Sequence, residues 1–132
     1  MSTAVYYLGL AFLFTHELDA VTHSEWRLLP VLGGMTSAAA TPLFVGFHVP
    51  LFFVVLWLSQ HRLERVRSRA RLVVSAFLVL HGVLHWGRSS DPQYDFHGVL
   101  SETLIWSAAG LGLAYLLIHW RSGDSPSDEA AV

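Results

Sequence analysis

Four long apolar stretches constrain this chain more than any other feature of its sequence. Runs of about 20 apolar residues, the length of a helix that crosses a bilayer, occur at residues 3–22, 39–58, 72–86 with its flanks, and 99–120. Hydrophobic residues make up 53% of the chain and charged residues 14%, whereas ordinary soluble domains have roughly 45–50% and about 25%. A soluble globule of 132 residues cannot bury so much apolar surface. We therefore predict an all-α fold, an integral membrane four-helix bundle.

The four stretches form one predicted domain, residues 1–121, followed by an acidic tail, residues 122–132. The first stretch is the least apolar, because His16, Glu17 and Asp19 interrupt its second half. It lacks the basic start and the small-residue cleavage site of a signal peptide, so we expect it to remain in the mature protein. The tail, SGDSPSDEAAV, has almost nothing apolar to bury, and we expect it to be disordered.

The orientation of the bundle follows from its arginines. Five of them lie between the second and third stretches, at Arg62, Arg65, Arg67, Arg69 and Arg71. Short loops rich in positive charge are retained in the cytoplasm. We therefore predict a multi-pass protein of the bacterial inner membrane in which the loop 60–71 and both termini are cytoplasmic, while the connections 24–38 and 87–96 face outward.

Charge and cysteine content exclude several classes of function. The net charge is -2 and the chain contains no lysine, so it has no polybasic surface for nucleic acid. Without cysteine it has no disulfides, thiolate metal sites or iron–sulfur clusters. The expected partners are membrane lipid and a lipophilic small molecule, and a homo-oligomer remains open. The eight histidines are therefore the main candidates for metal binding or catalysis.

Most polar residues of the apolar stretches lie at their predicted outward ends. They are His16, Glu17, Asp19, His23 and Glu25 in and after the first stretch, His48 in the second, His81 and His85 in the third, and His97 and Glu102 in the fourth. Ionisable residues within membrane spans are costly and by default mark function. Their common level predicts one shared site.

The spacing of these residues predicts a metal site. On an ideal helix His16, Asp19 and His23 fall within about 60° of one another. His81 and His85 are four residues apart and so share one face. Neutral imidazoles with a carboxylate suit a divalent cation, zinc above all. The predicted ligands are His16, Asp19, His81 and His85, with His48 and His23 as further candidates.

Several strings resemble an uncharacterised family of short bacterial four-span membrane proteins. They are THELDA at residues 15–20, EWR at 25–27, His48 with Pro50, and His81, His85 and Trp86. The likeness covers residues 6–111. It implies a four-span fold with a polar core, but it implies no activity. The H-x3-H pair is also similar to one of the histidine motifs of the di-iron fatty-acid hydroxylases and desaturases. Those enzymes need several such motifs to bind their two iron ions. The alkaline ceramidase and adiponectin receptor group, whose members have seven helices, binds zinc through a similar set of residues, here His16, Asp19, His81, His85 and Ser101.

These observations favour a zinc-dependent membrane hydrolase acting on a lipophilic substrate that enters from the outer leaflet. Bound metal would lower the pKa of water toward about 7. Glu102 or Glu17 would act as general base, and His48 as a ligand or a proton shuttle. Three alternatives remain open: a haem-binding electron-transfer module using His48 and His81, a di-iron lipid-modifying oxidoreductase, and a metal or proton carrier.

The predicted orientation can be tested with single cysteines, because the chain has none of its own. Ser90→Cys, on the outward side, is expected to react with a membrane-impermeant maleimide in intact cells. Ser68→Cys is expected to react only after the membrane is permeabilised. The reverse pattern would place the polar cluster on the cytosolic side and favour iron redox chemistry over zinc.

Overall fold

The structure, a computed structural model, describes residues 2–123 as four helices joined by short connections. The helices are α1 (Ser2–Thr22), α2 (Ser37–Ser59), α3 (Glu64–Arg88) and α4 (Val99–Gly123). Two short 3-10 turns, Glu25–Leu28 and Leu32–Gly34, lie between α1 and α2. Within these residues there is no strand, which confirms the predicted all-α fold.

Three helices, α2, α3 and α4, are long and apolar enough to cross a membrane by length and composition. The four predicted spans are thus supported for three helices. α1 has 21 residues but is not among the three, because His16, Glu17 and Asp19 lower the hydropathy of its last third. α4 continues to Gly123, so the helix extends past the predicted start of the tail at residue 122. The remaining tail, residues 124–132, lies outside the described residues.

The third helix begins at Glu64, eight residues before the predicted start of the apolar stretch. The segment predicted as a loop, residues 60–71, is therefore mostly the first turns of α3, and the connection itself is residues 60–63. Arginine is a good helix former, and no glycine or proline interrupts residues 61–81. Hydropathy marked only the apolar part of a longer helix.

Arg71 fastens the start of α3 to two other helices. Its Nε donates to the Ser59 carbonyl oxygen at 3.0 Å, and its Nη2 donates to the Tyr7 hydroxyl at 3.4 Å. The guanidinium also lies 5.5 Å from the Tyr6 ring centroid and 5.4 Å from that of Tyr7, close enough for cation–π attraction. One arginine thus joins the N-terminal half of α1 to the end of α2.

Helix α4 is the scaffold on which α1 and α3 pack, since its contacts with each are more extensive than those between α1 and α3. Small residues allow this close approach. A Cβ placed on Gly112 would lie 2.7 Å from the Ser75 carbonyl oxygen and 2.8 Å from Leu78 Cβ. A Cβ on Gly82 would lie 2.8 Å from Ala109 Cβ. The distance between α3 and α4 is therefore set by glycine.

Two clusters of buried apolar residues fill the bundle. One lies near the C-terminal ends of α1 and α3 and consists of Ala20, Trp26, Ala40, Phe44, Tyr94, Phe96 and Ile105. The other lies toward the opposite end and consists of Tyr6, Leu10, Leu13, Leu78, Ala108 and Tyr115. We call the second one the apolar layer. It separates His16, His81 and His85 from the arginines at the start of α3.

Helix α2 is the most exposed of the four. Its buried residues are Ala40, Phe44 and Ser59, whereas Phe47, Phe53 and other large apolar side chains point away from the bundle. An apolar face this extensive is not stable in water and is typical of a helix that contacts lipid.

The close packing of α3 on α4 can be tested with two neighbouring glycines. Gly112→Ala is expected to destabilise the protein by about 1–3 kcal/mol, because the new methyl group overpacks a tight contact. Gly110, on the same helix, has nothing within 4 Å of the position that a methyl group would take, so Gly110→Ala is the matched control and is expected to leave stability unchanged or raise it. Thermal unfolding of the detergent-purified protein measures both. Equal destabilisation by the two substitutions would contradict the packing.

Candidate metal centre

Three elements bring four potential ligands together. His16 is on the buried face of α1, and His81 and His85 lie one turn apart on α3. α1 ends at Thr22, and Ser24 then adopts the left-handed conformation with φ 58° and ψ 43°. A non-glycine residue in this region costs roughly 1–2 kcal/mol. The resulting turn carries Glu25 back toward His16.

The four side chains form a compact group. His16, Glu25, His81 and His85 each offer one ligand atom, and these atoms all lie within 4.8 Å of one another. The three imidazole ring centroids are 4.6–4.9 Å apart. His16 is 0% exposed, His81 7% and His85 6%, and the Glu25 side chain is 14% exposed. We call this group the His3Glu cluster.

The dimensions of the His3Glu cluster suit a single metal ion. Bonds of about 2.0–2.2 Å to nitrogen and oxygen set tetrahedral ligand atoms about 3.4 Å apart, and opposite ligands of an octahedral ion about 4.2 Å apart. The observed spread of 4.8 Å or less is therefore slightly wider than coordination requires. Coordination of one ion would require small side-chain rotations to close that difference.

Unpartnered polar atoms within the cluster point to the same conclusion. Six buried side-chain atoms of the described residues lack a hydrogen-bond partner, and four of them belong to the cluster: His16 Nδ1 and Nε2, Glu25 Oε2 and His81 Nε2. The other two are Asp19 Oδ2 and Ser75 Oγ. Most buried polar atoms in proteins are hydrogen-bonded, and an unsatisfied one costs about 1–3 kcal/mol. A cation at the centre of the cluster would satisfy the lone pairs that face it.

Glu25 is suited to be the anionic member of this cluster. Its Oε2 lies 3.5 Å from His16 Nε2, and its Oε1 lies 3.5 Å from His85 Nε2. Burial alone would raise the pKa of Glu25, but the adjacent His16 and His85 imidazoles hold it below the ordinary value of a glutamic acid. The carboxyl group is therefore ionised, the form that coordinates a cation.

Tyr94 orients one of the imidazoles. Its hydroxyl lies 3.2 Å from His85 Nδ1. Burial, with the Glu102 and Glu25 carboxylates nearby, raises the pKa of Tyr94 to about 12, so its phenol stays protonated. If His85 Nδ1–H donates to the phenol oxygen, the lone pair of this imidazole is on Nε2, which faces Glu25. Such outer contacts fix the tautomer of metal-binding histidines.

The surroundings of the cluster are aromatic. The Phe96 ring is fully buried and its centroid lies 5.5 Å from that of His16 and 5.0 Å from that of His85. Phe77 lies 5.6 Å from His81 by the same measure. Apolar surroundings of this kind strengthen electrostatic interactions.

Asp19 and His23, both predicted ligands, lie outside the His3Glu cluster and contact each other. His23 Nδ1 donates to the Asp19 carbonyl oxygen at 2.9 Å, and the same nitrogen is 3.2 Å from Asp19 Oδ1. The predicted stripe assumed that the helix continues through His23. α1 ends at Thr22, but the His23 backbone N–H still donates to the Asp19 carbonyl oxygen at 3.0 Å, so the two residues keep their i,i+4 relation and pair with each other outside the cluster.

Glu17 and His48 form a second pair, which joins α1 to α2. His48 Nδ1 donates to the Phe44 carbonyl oxygen at 2.7 Å, because a carbonyl can only accept. His48 Nε2 lies 2.8 Å from Glu17 Oε2, a contact that needs one shared proton. Either the imidazole is protonated and donates to a carboxylate, or the carboxylic acid donates to a neutral imidazole. The pair therefore holds an exchangeable proton.

Glu102, the other predicted general base, is exposed. Its Oε2 accepts a hydrogen bond from Trp106 Nε1 at 2.8 Å. The carboxylate is thus held along the surface of α4 and is not part of the His3Glu cluster.

Glu25 is the member of the cluster that the spacing analysis did not select. It follows the end of α1, so no helical register relates it to His16. The available signal was its position in the EWR string at residues 25–27, among the polar residues at the predicted outward end of the first stretch.

The fold and this cluster together define a helical protein with three membrane-length helices and a His/Glu group at metal-binding distance. The chain belongs to a family described as "Family of unknown function (DUF6713)", which matches residues 2–122. Comparisons with curated proteins and with solved structures each give no match. The chemistry of the protein therefore has to follow from the cluster itself.

Two acidic residues distinguish the cluster in the structure from the stripe predicted by spacing. Replacing a residue that only supports a metal ligand typically lowers metal affinity about 10–100-fold. Glu25 is itself a ligand in the cluster, so we expect Glu25→Gln to lower metal affinity by at least about that factor. Asp19→Asn is the matched control and is expected to retain the metal, as is His119→Ala at the far end of α4. Elemental analysis of protein purified without a His tag measures the metal content. Loss of metal in Asp19→Asn with retention in Glu25→Gln would favour the stripe instead.

Proposed function

We propose that this protein is an integral membrane metalloprotein that binds one divalent transition-metal ion through His16, Glu25, His81 and His85. The observation that carries the proposal is the convergence of ligand atoms from three buried histidines and the half-buried Glu25, several of them without a hydrogen-bond partner in the described part of the chain. In a purely structural ion pair, buried polar atoms of this kind normally have hydrogen-bond partners. A metal ion explains the unsatisfied atoms and the buried carboxylate together.

Zinc is the ion we propose. Three imidazole nitrogens and one carboxylate oxygen are a donor set that zinc accepts readily, although other first-row metals accept it too. On the outward-facing side, no cytosolic reductant reaches the site, and the chain has no cysteine to relay electrons. Both points favour a metal without redox chemistry.

Our proposal for the membrane arrangement is the one predicted from charge. The arginine-rich start of α3 faces the cytoplasm of a bacterial inner membrane, and the His3Glu cluster lies near the outer face, with both termini inside. The asymmetry of charge supports it: five arginines lie at 62–71, whereas Arg27 and Arg88 are the arginines of the other two connections.

The chemistry we propose for the centre is hydrolysis of a lipophilic substrate. A metal ion with a free position lowers the pKa of bound water toward about 7. The Glu17–His48 pair holds an exchangeable proton, so we assign proton transfer to it in preference to Glu102. The exposed apolar face of α2 supports a substrate that arrives through the lipid.

The alternatives fit the residues less well. In the haem proposal His48 would be an axial ligand, but both of its nitrogens already have partners. In the carrier proposal an ion would cross the bundle, but the apolar layer, with Leu10, Leu13 and Leu78 buried, lies along that route. A di-iron site needs more ligands than the His3Glu cluster contains.

A structural ion is the second candidate, and the number of ligands favours it. Four protein ligands complete a tetrahedral zinc sphere, as in structural sites, whereas catalytic zinc keeps a position for water. The ion would then tie α1, the first 3-10 turn and α3 together. The two candidates differ in whether a small exogenous ligand can bind the metal.

Cobalt tests both the metal site and its open position. Co²⁺ replaces Zn²⁺ in sites of this type and has visible absorption that depends on coordination number. One equivalent added to the metal-free protein is expected to give this absorption in the wild type and not in His81→Ala. For a hydrolytic centre, azide is expected to change the spectrum by occupying the water position. A cobalt spectrum that azide leaves unchanged would favour the structural ion, and no cobalt spectrum at all would contradict the metal centre.

A further inference from the structure

A second polar site lies at the opposite end of the bundle from the His3Glu cluster. It is a cavity of about 290 Å³, lined by Thr3, Glu64, Arg67, Ser68, Arg71, Tyr115 and His119. These residues come from the start of α1, the start of α3 and the end of α4. Apart from Glu64, every one of these side chains can donate a hydrogen bond, so the cavity is suited to an anion.

The two arginines of this cavity are held by neutral groups. Arg67 Nη1 donates to the His61 carbonyl oxygen at 3.1 Å, and Arg71 donates to the Ser59 carbonyl oxygen. Within residues 2–123, the one arginine–carboxylate ion pair is Arg88 with Asp91, at the other end of α3. Glu64 is exposed and forms no such pair with either guanidinium. Both arginines are thus positioned, and their charges are not neutralised by a described carboxylate.

An apolar groove begins beside this cavity. It is lined by Phe53, Leu56, Trp57, Gln60, His61 and Arg62. The lining is thus apolar along α2 and becomes polar after the end of that helix. The hydrogen bond from Arg67 to His61 joins the lining of the cavity to the lining of the groove. A ligand with a phosphate and an apolar chain matches this order.

We propose that the cavity binds the phosphate of an anionic phospholipid, with an acyl chain lying along the groove of α2. Arginine recognises phosphate through charge-assisted hydrogen bonds, and the Ser68, Thr3 and Tyr115 hydroxyls line the same space. A soluble phosphate would use the same donors but would have no use for the groove. The proposal is independent of the metal centre, which lies on the other side of the apolar layer.

The test uses the full-length protein in nanodiscs of phosphatidylcholine with increasing phosphatidylglycerol, and counts retained lipids by native mass spectrometry. Arg67→Gln removes one cavity arginine. Arg69→Gln is the matched control, because Arg69 lies on the same helix, carries the same charge and is exposed outside the cavity. Loss of one charged hydrogen bond is expected to raise the phosphatidylglycerol fraction needed for half occupancy about tenfold in Arg67→Gln, with little change in Arg69→Gln.

Four results would overturn the proposal. Equal weakening by Arg67→Gln and Arg69→Gln would indicate diffuse attraction to the membrane surface rather than a site. Equal retention of phosphatidylcholine would remove the requirement for an anionic headgroup. Competition by millimolar inorganic phosphate as effective as that by phosphatidylglycerol would identify a soluble anion as the ligand. Lipid retention that appears only after deletion of residues 124–132 would identify the acidic segment of the chain itself as the occupant.

Discussion

The burial of a carboxylate among three imidazoles is the interaction on which this end of the molecule depends. An ionised group removed from water costs several kcal/mol unless it is compensated, and here Glu25 is largely buried with one oxygen lacking a hydrogen-bond partner in the described structure. A divalent cation bound there would compensate that charge and at the same time satisfy the facing nitrogens. The left-handed Ser24, the Tyr94–His85 contact and the Phe96 ring all serve to bring these groups together and keep them from water.

The ligands are placed by a helix that contributes none of them. α4 contacts α1 and α3 far more than these two contact each other, so the distance from His16 to His81 is set by how closely each helix packs on α4. A Cβ on Gly82 or Gly112 would clash with the facing helix, so these two glycines allow α3 and α4 to pack closely. The apolar layer divides the bundle into one end that holds the His3Glu cluster and another that holds the arginines of α3.

Much of the fold was predictable because hydropathy and length depend on composition alone. The four helices follow the four apolar stretches, and the pairing of His81 with His85 follows from helical periodicity. The start of α3 was not predictable in this way: the arginines of residues 65–71 read as a polar loop, although they have high helix propensity and extend the helix by two turns. Polarity along the sequence indicates where a helix leaves an apolar environment, not where it ends.

The sequence by itself determined that the chain is helical, that its polar residues lie at one level and that His16, His81 and His85 belong to that level. Only the tertiary structure decided which carboxylate joins them. Asp19 was favoured because a regular helix relates it to His16, but its carboxylate pairs with His23, one helical turn further along the chain. Glu25 reaches the cluster through a turn whose direction depends on one left-handed residue. Helical periodicity predicts neighbours within a helix, whereas a contact made through a turn depends on backbone angles and packing that no local pattern encodes.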